Sequence, residues 1–528
     1  MMKGFRQSET PLEQMLMWSQ KLDDAVPADH PVRLVDAIFD SEVFADTLRS
    51  WRRQYCLVEG QPPYDPKHLV KLYVYGMMTG LRSSRQLETA CYNRVDVIWL
   101  MSGQHPDHST IAAFVSKGGK QMRGMFRDAL RACRQAGLVE CRHVCVDGTN
   151  IEADAGRGSV KTLKELEAES ARVDEQIREL EGQWEANEKR EESLFGQEAP
   201  WAPGRGKDMG KRMKELERKR AKLKAALAAI ERRVEESPEG KQIAVSSDPD
   251  SRVMRDKEGR SKPNYNAQLA VDAQSGVIVA CDVNDQANDA GLLTPMLSQI
   301  EENGLERTEE VSADSGYNTG ADIEKLESDG IVGYLPECRT QVYEKATRDS
   351  REALKAAQTG EVLSEAQWAA LPRDRGVVAK EAFRYDAGTD AYTCPAGQEL
   401  RYCHDVKDTV RGRERIRRQY GGCRACRTCA HAVMCCKNPA TGRTIKRDEY
   451  EPCRERMRQR MSSQEGRDRY RVRRQTVEPR FGHMKRVMGL RRFLRRGLAK
   501  VGVEWLLACL TWNVQKLMKC WKGVAMAQ

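Results

Sequence analysis

Long apolar runs are missing from this chain of 528 residues. Its most apolar late segment, residues 503–514, is too short to span a bilayer and carries Glu504. A basic region followed by an apolar one is also lacking near Met1, so no secretory leader is expected. The excess of one charge sign is modest, +10 with a pI near 8.8, and favours a polyanionic partner without deciding it. Its distribution says more, because the basic excess gathers between about Arg411 and Lys500. Cysteine is not scarce: there are 17. With no leader these are expected in a reducing cytosol, where metal binding or burial, not disulfides, accounts for them. The length suffices for several domains.

One glutamate stands inside the basic C-terminal stretch RDRYRVRRQTVEPRFGHMKRVMGLRRFLRRGL. It is Glu478, with Arg474 four residues before it and Lys485 seven after. On a continuous helix those offsets share one stripe, with Phe481 between. Pro479 disfavours helical angles at Glu478, which places it at a helix start or a kink. A carboxylate among cations is either a neutralised surface residue or a metal ligand whose neighbours hold a phosphodiester. The second reading needs further carboxylates on strands upstream. Two are present. Val144–Cys145–Val146 ends in Asp147 and Gly148, and Val311–Ser312–Ala313 ends in Asp314 with Gly316 beyond. Each pattern predicts a short strand giving way to a loop at its aspartate. In α/β folds, functional groups gather at the carboxyl ends of strands. Magnesium prefers carboxylate oxygens, and two such ions assist phosphoryl transfer.

VDGT, ADSGYNT and R-x3-E-x6-K resemble the Asp-Asp-Glu signatures of bacterial insertion-sequence transposases, and residues 63–114 resemble the helical N-terminal domain of that family. One departure is visible: the family often has a tyrosine three residues before the arginine, and here Tyr470 lies four before Arg474 and three before Arg473. The resemblance implies an α/β fold with an RNase H-like core, in which Asp147, Asp314 and Glu478 bind two magnesium ions (manganese being possible) and act in DNA strand cleavage and transfer. It also implies double-stranded DNA as partner, at transposon ends and target. A homodimer or higher assembly is expected, with a cytoplasmic, nucleoid-associated location and no membrane. Arg474 and Lys485 would clamp phosphates. Two other readings are a DNA-binding remnant without catalysis and an RNase H-like nuclease without strand transfer.

Along the chain, residues 1–140 read as a helical DNA-binding domain. Asp65-Pro66, Ser83 with Gln86, and Asp107 offer helix starts. The third of these predicts one helix through IAAFVSKGGKQM. Short helices with tight turns suit a DNA reader, with Arg82, Arg85 and Arg94 as candidate phosphate contacts; a dimerisation bundle is the alternative. Residues 141–158 hold the first core strand. Residues 159–240 read as an antiparallel coiled-coil hairpin, with Leu163, Leu166, Val173, Ile177, Leu180 and Trp184 on one arm. Met213, Leu216, Leu223, Leu227, Ile230 and Val234 line the other. Residues 241–337 resume the core. Asp272 and Asp282 there read as turn or edge residues, while Asp248 and Asp250 are loop candidates for DNA or metal.

Residues 338–465 form a cysteine-rich second insertion, and residues 466–528 are late core helices. Cys426, Cys429 and Cys435 have C-x2-C-x5-C spacing, and a structural zinc site needs four ligands. Cys394 is the natural fourth, with Cys423, Cys436 and His431 as rivals. The same cysteine pattern recurs in the resembled family. Zinc held by four thiolates would be structural, since no open coordination position remains.

Overall fold

The computed structural model describes residues 22–55, 62–195, 205–236, 240–255, 259–337, 347–374, 376–410, 413–421 and 424–525. The chain divides into two units, residues 1–132 with 510–528, and residues 133–509.

The first unit is helical, and its helices start where side chains satisfy free amides. Asp65 accepts from the Lys67 amide at 2.9 Å, ahead of the helix Pro66–Met78. Ser83 and Gln86 form a capping box on Ser84–Asn93. Asp107 accepts from the Ser109 and Thr110 amides ahead of His108–Lys117. The single helix expected through IAAFVSKGGKQM is two, because His108–Lys117 ends at Gly118 and Gly119–Gln135 begins anew. A Cβ at Gly118 would lie 2.8 Å from the Trp51 ring, so the break lets an indole pack against bare backbone.

The helix Pro66–Met78 carries a buried cation. Lys71 is 1% exposed, and its ammonium lies 2.5 Å from both Asp36 and Asp40 on the helix Pro31–Asp40. Desolvating Lys71 is tolerable only while both carboxylates face it. Lys71→Ala should therefore lower stability by about 2–3 kcal/mol in urea titrations, the partial exposure of the two aspartates keeping the cost below that of a fully buried pair. An unchanged urea midpoint would show that the pair contributes nothing.

The second unit is mixed α/β. Its main sheet uses β1 (His143–Glu152), β4 (Arg252–Arg255), β5 (Ser261–Asp272), β6 (Ile278–Asn284), β7 (Glu310–Ser312) and β8 (Val332–Tyr334). The order is β4-β5-β1-β7-β8, with β6 also on β5. β1, β5 and β6 are antiparallel, while β7 and β8 run parallel to β1. β2 (Val160–Thr162) and β3 (Ile243–Val245) pair antiparallel at the root of the first insertion. Between them lie two long helices, Leu163–Phe195 and Arg205–Glu236. Arg220 pairs with Asp174, and Asn187 contacts Met209, so the helices run antiparallel. Leu166, Val173, Ile177, Leu223, Ala226 and Ile230 form their common core.

The second insertion contains β9 (Arg373–Asp374) and β10 (Val377–Val378), then β11 (Arg384–Asp386), β12 (Ala391–Thr393), β13 (Glu399–Val410), β14 (Arg413–Gly421) and β15 (Ile445–Arg447). The last five form one antiparallel sheet in sequential order. Its apolar cluster is built on Trp368, Phe383, Tyr392, Leu400 and Tyr420. Among the described residues no helix is long and apolar enough to cross a membrane.

Candidate active site

β1 does not end at Asp147. It runs through Glu152 against β5, with Asp147 opposite Leu269. What ends is its other partner. β7 pairs with β1 only as far as Cys145↔Ser312, so Asp147 occupies an edge freed of its neighbour. Asp314 lies two residues past Ser312, as Asp147 lies two past Cys145. Parallel strands with a side-chain period of two place such positions on one face. The two carboxylates accordingly feel each other.

A third aspartate joins them. Asp289, in the loop after β6, accepts from Asn266 Nδ2 at 2.7 Å and from Gln268 Nε2 at 2.8 Å. Gln268 is held by the Tyr317 hydroxyl on its side chain and by Trp505 Nε1 on its carbonyl. Two glycines make room. A Cβ on Gly148 would lie 2.4 Å from Gln268 Nε2 and 2.7 Å from Asp289 Oδ1. One on Gly316 would lie 3.0 Å from Asp314 Oδ1 and 3.2 Å from Asp289 Oδ2. Nothing local in QANDAG marks Asp289. The signal that could have found it is Asn266 and Gln268, two amides at one-face spacing on a buried strand, which need an acceptor.

Arg473 supplies the positive charge. Its guanidinium lies 2.5 Å from Asp147 Oδ2, and both side chains are nearly buried, at 10% and 13% exposure. Burial pushes the Asp147 carboxyl up to about 6; Arg473 opposes the shift, and Asp314 and Asp289 reinforce it. Burial also raises Asp289, the Asn266 and Gln268 donors oppose, and Asp314 adds to the rise. Arg473 also lies over the Tyr470 ring, 5.5 Å from its centroid. The arginine at the aspartates is thus Arg473, three residues after the tyrosine, and not Arg474.

Arg474 and Glu478 lie elsewhere. The helix Gln464–Thr476 ends before Glu478, and a new one, Glu478–Arg486, starts there with Pro479 in its first turn. Glu478 is 55% exposed and pairs with Arg474 at 3.6 Å. The single stripe expected for Arg474, Glu478 and Lys485 is therefore broken at the helix junction. Lys485 donates to Thr149 Oγ1 at 2.6 Å and to the Asn150 carbonyl at 3.2 Å, just past Asp147 on β1. Asp248 and Asp250 are spent within the fold. Asp248 accepts from the Tyr265 hydroxyl and the Gly497 amide, and Asp250 from the Leu498 amide, at the start of the helix Leu498–Ala525. Asp272 accepts from the Ser275 amide and hydroxyl, as a turn residue does.

In the helical unit Arg85 is exposed and Arg82 half-buried. Arg94 is committed to Asp96 at 2.5 Å and stacks on Tyr75. Cys394, Cys426, Cys429, Cys435 and Cys436 line one space of about 20 Å³, with Trp368 at its wall. Cys423 lies outside the described residues. Among the described residues no group of three or more His, Cys, Asp or Glu side chains is arranged to hold a metal ion.

Two family models match the chain. One, described as a transposase DDE domain, covers residues 393–518, and the other, a transposase domain (DUF772), covers residues 20–117. Over these two segments the chain is similar to transposase domains. No curated protein and no solved structure matches it. The DDE match takes in Arg473 and Glu478; Asp147, Asp289 and Asp314 lie outside both matched segments.

Asp147 gives the protein a pH signature. Its carboxyl takes up a proton near pH 6 when folded, against 3.8 as the reference value. The folded state binds the extra proton between those values, so stability falls as pH rises through that window. The penalty is absent below the lower value and reaches about 3 kcal/mol above the higher one. In EDTA, Asp147→Asn should flatten the decline of melting temperature between pH 4.5 and 7.5; equal slopes in variant and parent would refute the assignment.

Proposed function

We propose that this protein is a transposase that cuts DNA at the ends of its element and joins the freed strand to target DNA. The main sheet is read as RNase H-like: three antiparallel strands followed by two parallel ones, with Asp147 on β1 and Asp314 two residues past the end of β7, its parallel neighbour. The observation that carries the reading is the crowding of Asp147, Asp314 and Asp289 in a largely buried place with Arg473 as counter-charge. Carboxylate oxygens are hard donors that fit magnesium, or manganese in its place, once Arg473 gives way and the side chains close on the ion.

Asp147 and Asp314 would hold the ions, with Glu478 as third ligand. The Glu478 pair with Arg474 is exposed, so little free energy holds it there. Magnesium, when bound, supplies electrostatic stabilisation of the attacking and leaving oxygens. Asn266 and Gln268 keep Asp289 aimed at the aspartates. Arg473 holds Asp147 in place and would release it toward an ion while keeping a phosphate nearby. Lys485 stiffens the strand beyond Asp147. Arg82 and Arg85 are proposed phosphate contacts in the helical domain, and assembly as a homodimer is proposed because two ends must be joined.

Asp147→Ala, Asp314→Ala and Glu478→Ala should each abolish magnesium-dependent cleavage and joining of DNA carrying the element's flanking repeats, while binding persists in gel-shift assays. Retained cleavage removes that residue from the set. A parent protein that binds yet never cleaves with magnesium or manganese is instead a DNA-binding remnant, and cleavage without joining marks a nuclease.

The cysteine space is proposed as a structural zinc site of Cys394, Cys426, Cys429 and Cys435. It has room for one atom-sized guest. The Gln398 amide donates to Cys394 Sγ at 3.3 Å, which favours a thiolate there. Elemental analysis should find about one zinc per chain, lost in the Cys426→Ser, Cys429→Ser double variant along with thermal stability. Zinc-free protein with undiminished stability would overturn the site.

A further inference from the structure

The helix Gln464–Thr476 carries two adjacent arginines, and each meets one of the acids proposed above as ligands. Arg473 Nη1 lies 2.5 Å from Asp147 Oδ2, and Arg474 Nε lies 3.6 Å from Glu478 Oε1. The two pairs differ in what it takes to part them. Arg474 and Glu478 are exposed, so water replaces either partner at little cost. Arg473 and Asp147 are nearly buried, so removing one leaves the other charged and unanswered in a poorly solvated place.

Arg473 also has donor capacity that the fold leaves unused. The residue is 8% exposed, and its guanidinium carbon lies 5.5 Å from the Tyr470 ring centroid. Nη1 donates to Asp147, but the buried Nε finds no acceptor among the described residues. A guanidinium carries its N–H donors in a rigid fork that matches phosphate oxygens. A buried cationic donor without an acceptor marks a place for an anion from outside.

Four states follow from these charges. With neither metal nor DNA bound, Arg473 answers Asp147. With a divalent cation alone on Asp147, Arg473 stays buried beside added positive charge. With a phosphate alone on Arg473, Asp147 stays buried beside added negative charge. With both bound, each buried charge has its counter-charge, so the doubly loaded state is favoured over either half-loaded one.

We propose that Arg473 links metal loading to DNA binding: a phosphodiester draws the guanidinium off Asp147 and frees that carboxylate for magnesium or manganese, so the site stays unloaded until DNA is in place. The inference rests on the reading of Asp147 as a metal ligand in an enzyme acting on DNA. Arg474 stands to Glu478 in the same relation, but its exposed pair contributes little to the linkage. By reciprocity, DNA and metal each raise the affinity for the other by the same factor.

The test titrates the full chain with Mn2+, reading free manganese by electron paramagnetic resonance. Titrations are run with and without a duplex that carries the element's flanking repeat and ends in a 3′-deoxy nucleotide. Asp147→Ala, titrated in parallel with the same duplex, gives the background from other sites and from DNA. The duplex should raise Mn2+ affinity about tenfold or more, and Mn2+ should raise duplex affinity in gel shifts by the same factor. Without DNA, Arg473→Gln should bind Mn2+ about tenfold more tightly than the parent and lose most of the coupling. Arg474→Gln should change either quantity by no more than about twofold. Arg473→Lys keeps a cation beside Asp147 without the fork, so it should show intermediate coupling, and it decides the matter if Arg473→Gln does not fold. Equal Mn2+ affinity in the parent with and without duplex, or full coupling in the Arg473 variants, refutes the linkage while the metal reading stands. Absence of any Asp147-dependent manganese, with duplex or without, refutes both.

Discussion

The antiparallel ladder between β1 and β5 determines where Asp147 stands and where the two amides that hold Asp289 stand. It runs without a break from Val144↔Asp272 to Glu152↔Asn264. Because side chains alternate, a slip of one residue would send Asp147 to the other face of the sheet and carry Asn266 and Gln268 away from Asp289. The register is pinned at both ends. The Cys141 amide donates to Asp272 at one end, and the Ala153 amide donates to the Pro263 carbonyl at the other. In between, Gly148 faces Gln268, and only a residue without a side chain leaves that amide free to reach Asp289. The ladder thus sets the geometry of charges that themselves contribute little to holding the sheet.

Those charges explain the helix laid over them. Three carboxylates in a largely buried place oppose folding unless a cation answers them. Arg473 does so from the helix Gln464–Thr476, which packs on β1 and β7 and whose buried residues are Gly466, Arg473 and Thr476. Its neighbour Arg474 is exposed and pairs with Glu478. Adjacent helical residues lie about 100° apart, so a one-residue difference in assignment separates a site residue from a surface one.

Features that depend on neighbours in sequence are legible in the sequence itself. Asp65, Ser83 with Gln86, and Asp107 act as the caps their spacing predicts. Leu166, Val173, Ile177, Leu223 and Ile230 pack as the helical seam predicts. Pro479 marks the helix start at Glu478. Features that depend on partners distant in sequence are not legible in this way. Gly148 reads as a turn that would stop β1 at Asp147, whereas β5 carries the strand onward. Asp289 has no local signature, since its meaning comes from Gln268 across a ladder.

The strand directions also explain why both insertions flank the candidate site. β1, β7 and β8 are parallel, so their carboxyl ends emerge on one side of the sheet. Asp314 follows β7 on that side. The chain leaving β8 toward the second insertion emerges there, and so does the chain leaving β1 toward the helical hairpin. The β2–β3 pair returns the first insertion close to where it departs, leaving the core sheet undisturbed. The second returns through the helix Glu451–Ser462, which packs on β8 and on the helix after the Asp314 loop. Large additions at these two points enlarge the surface around the aspartates without breaking a ladder bond. A sheet of this topology can therefore gain large insertions beside its site and keep the register that makes the site.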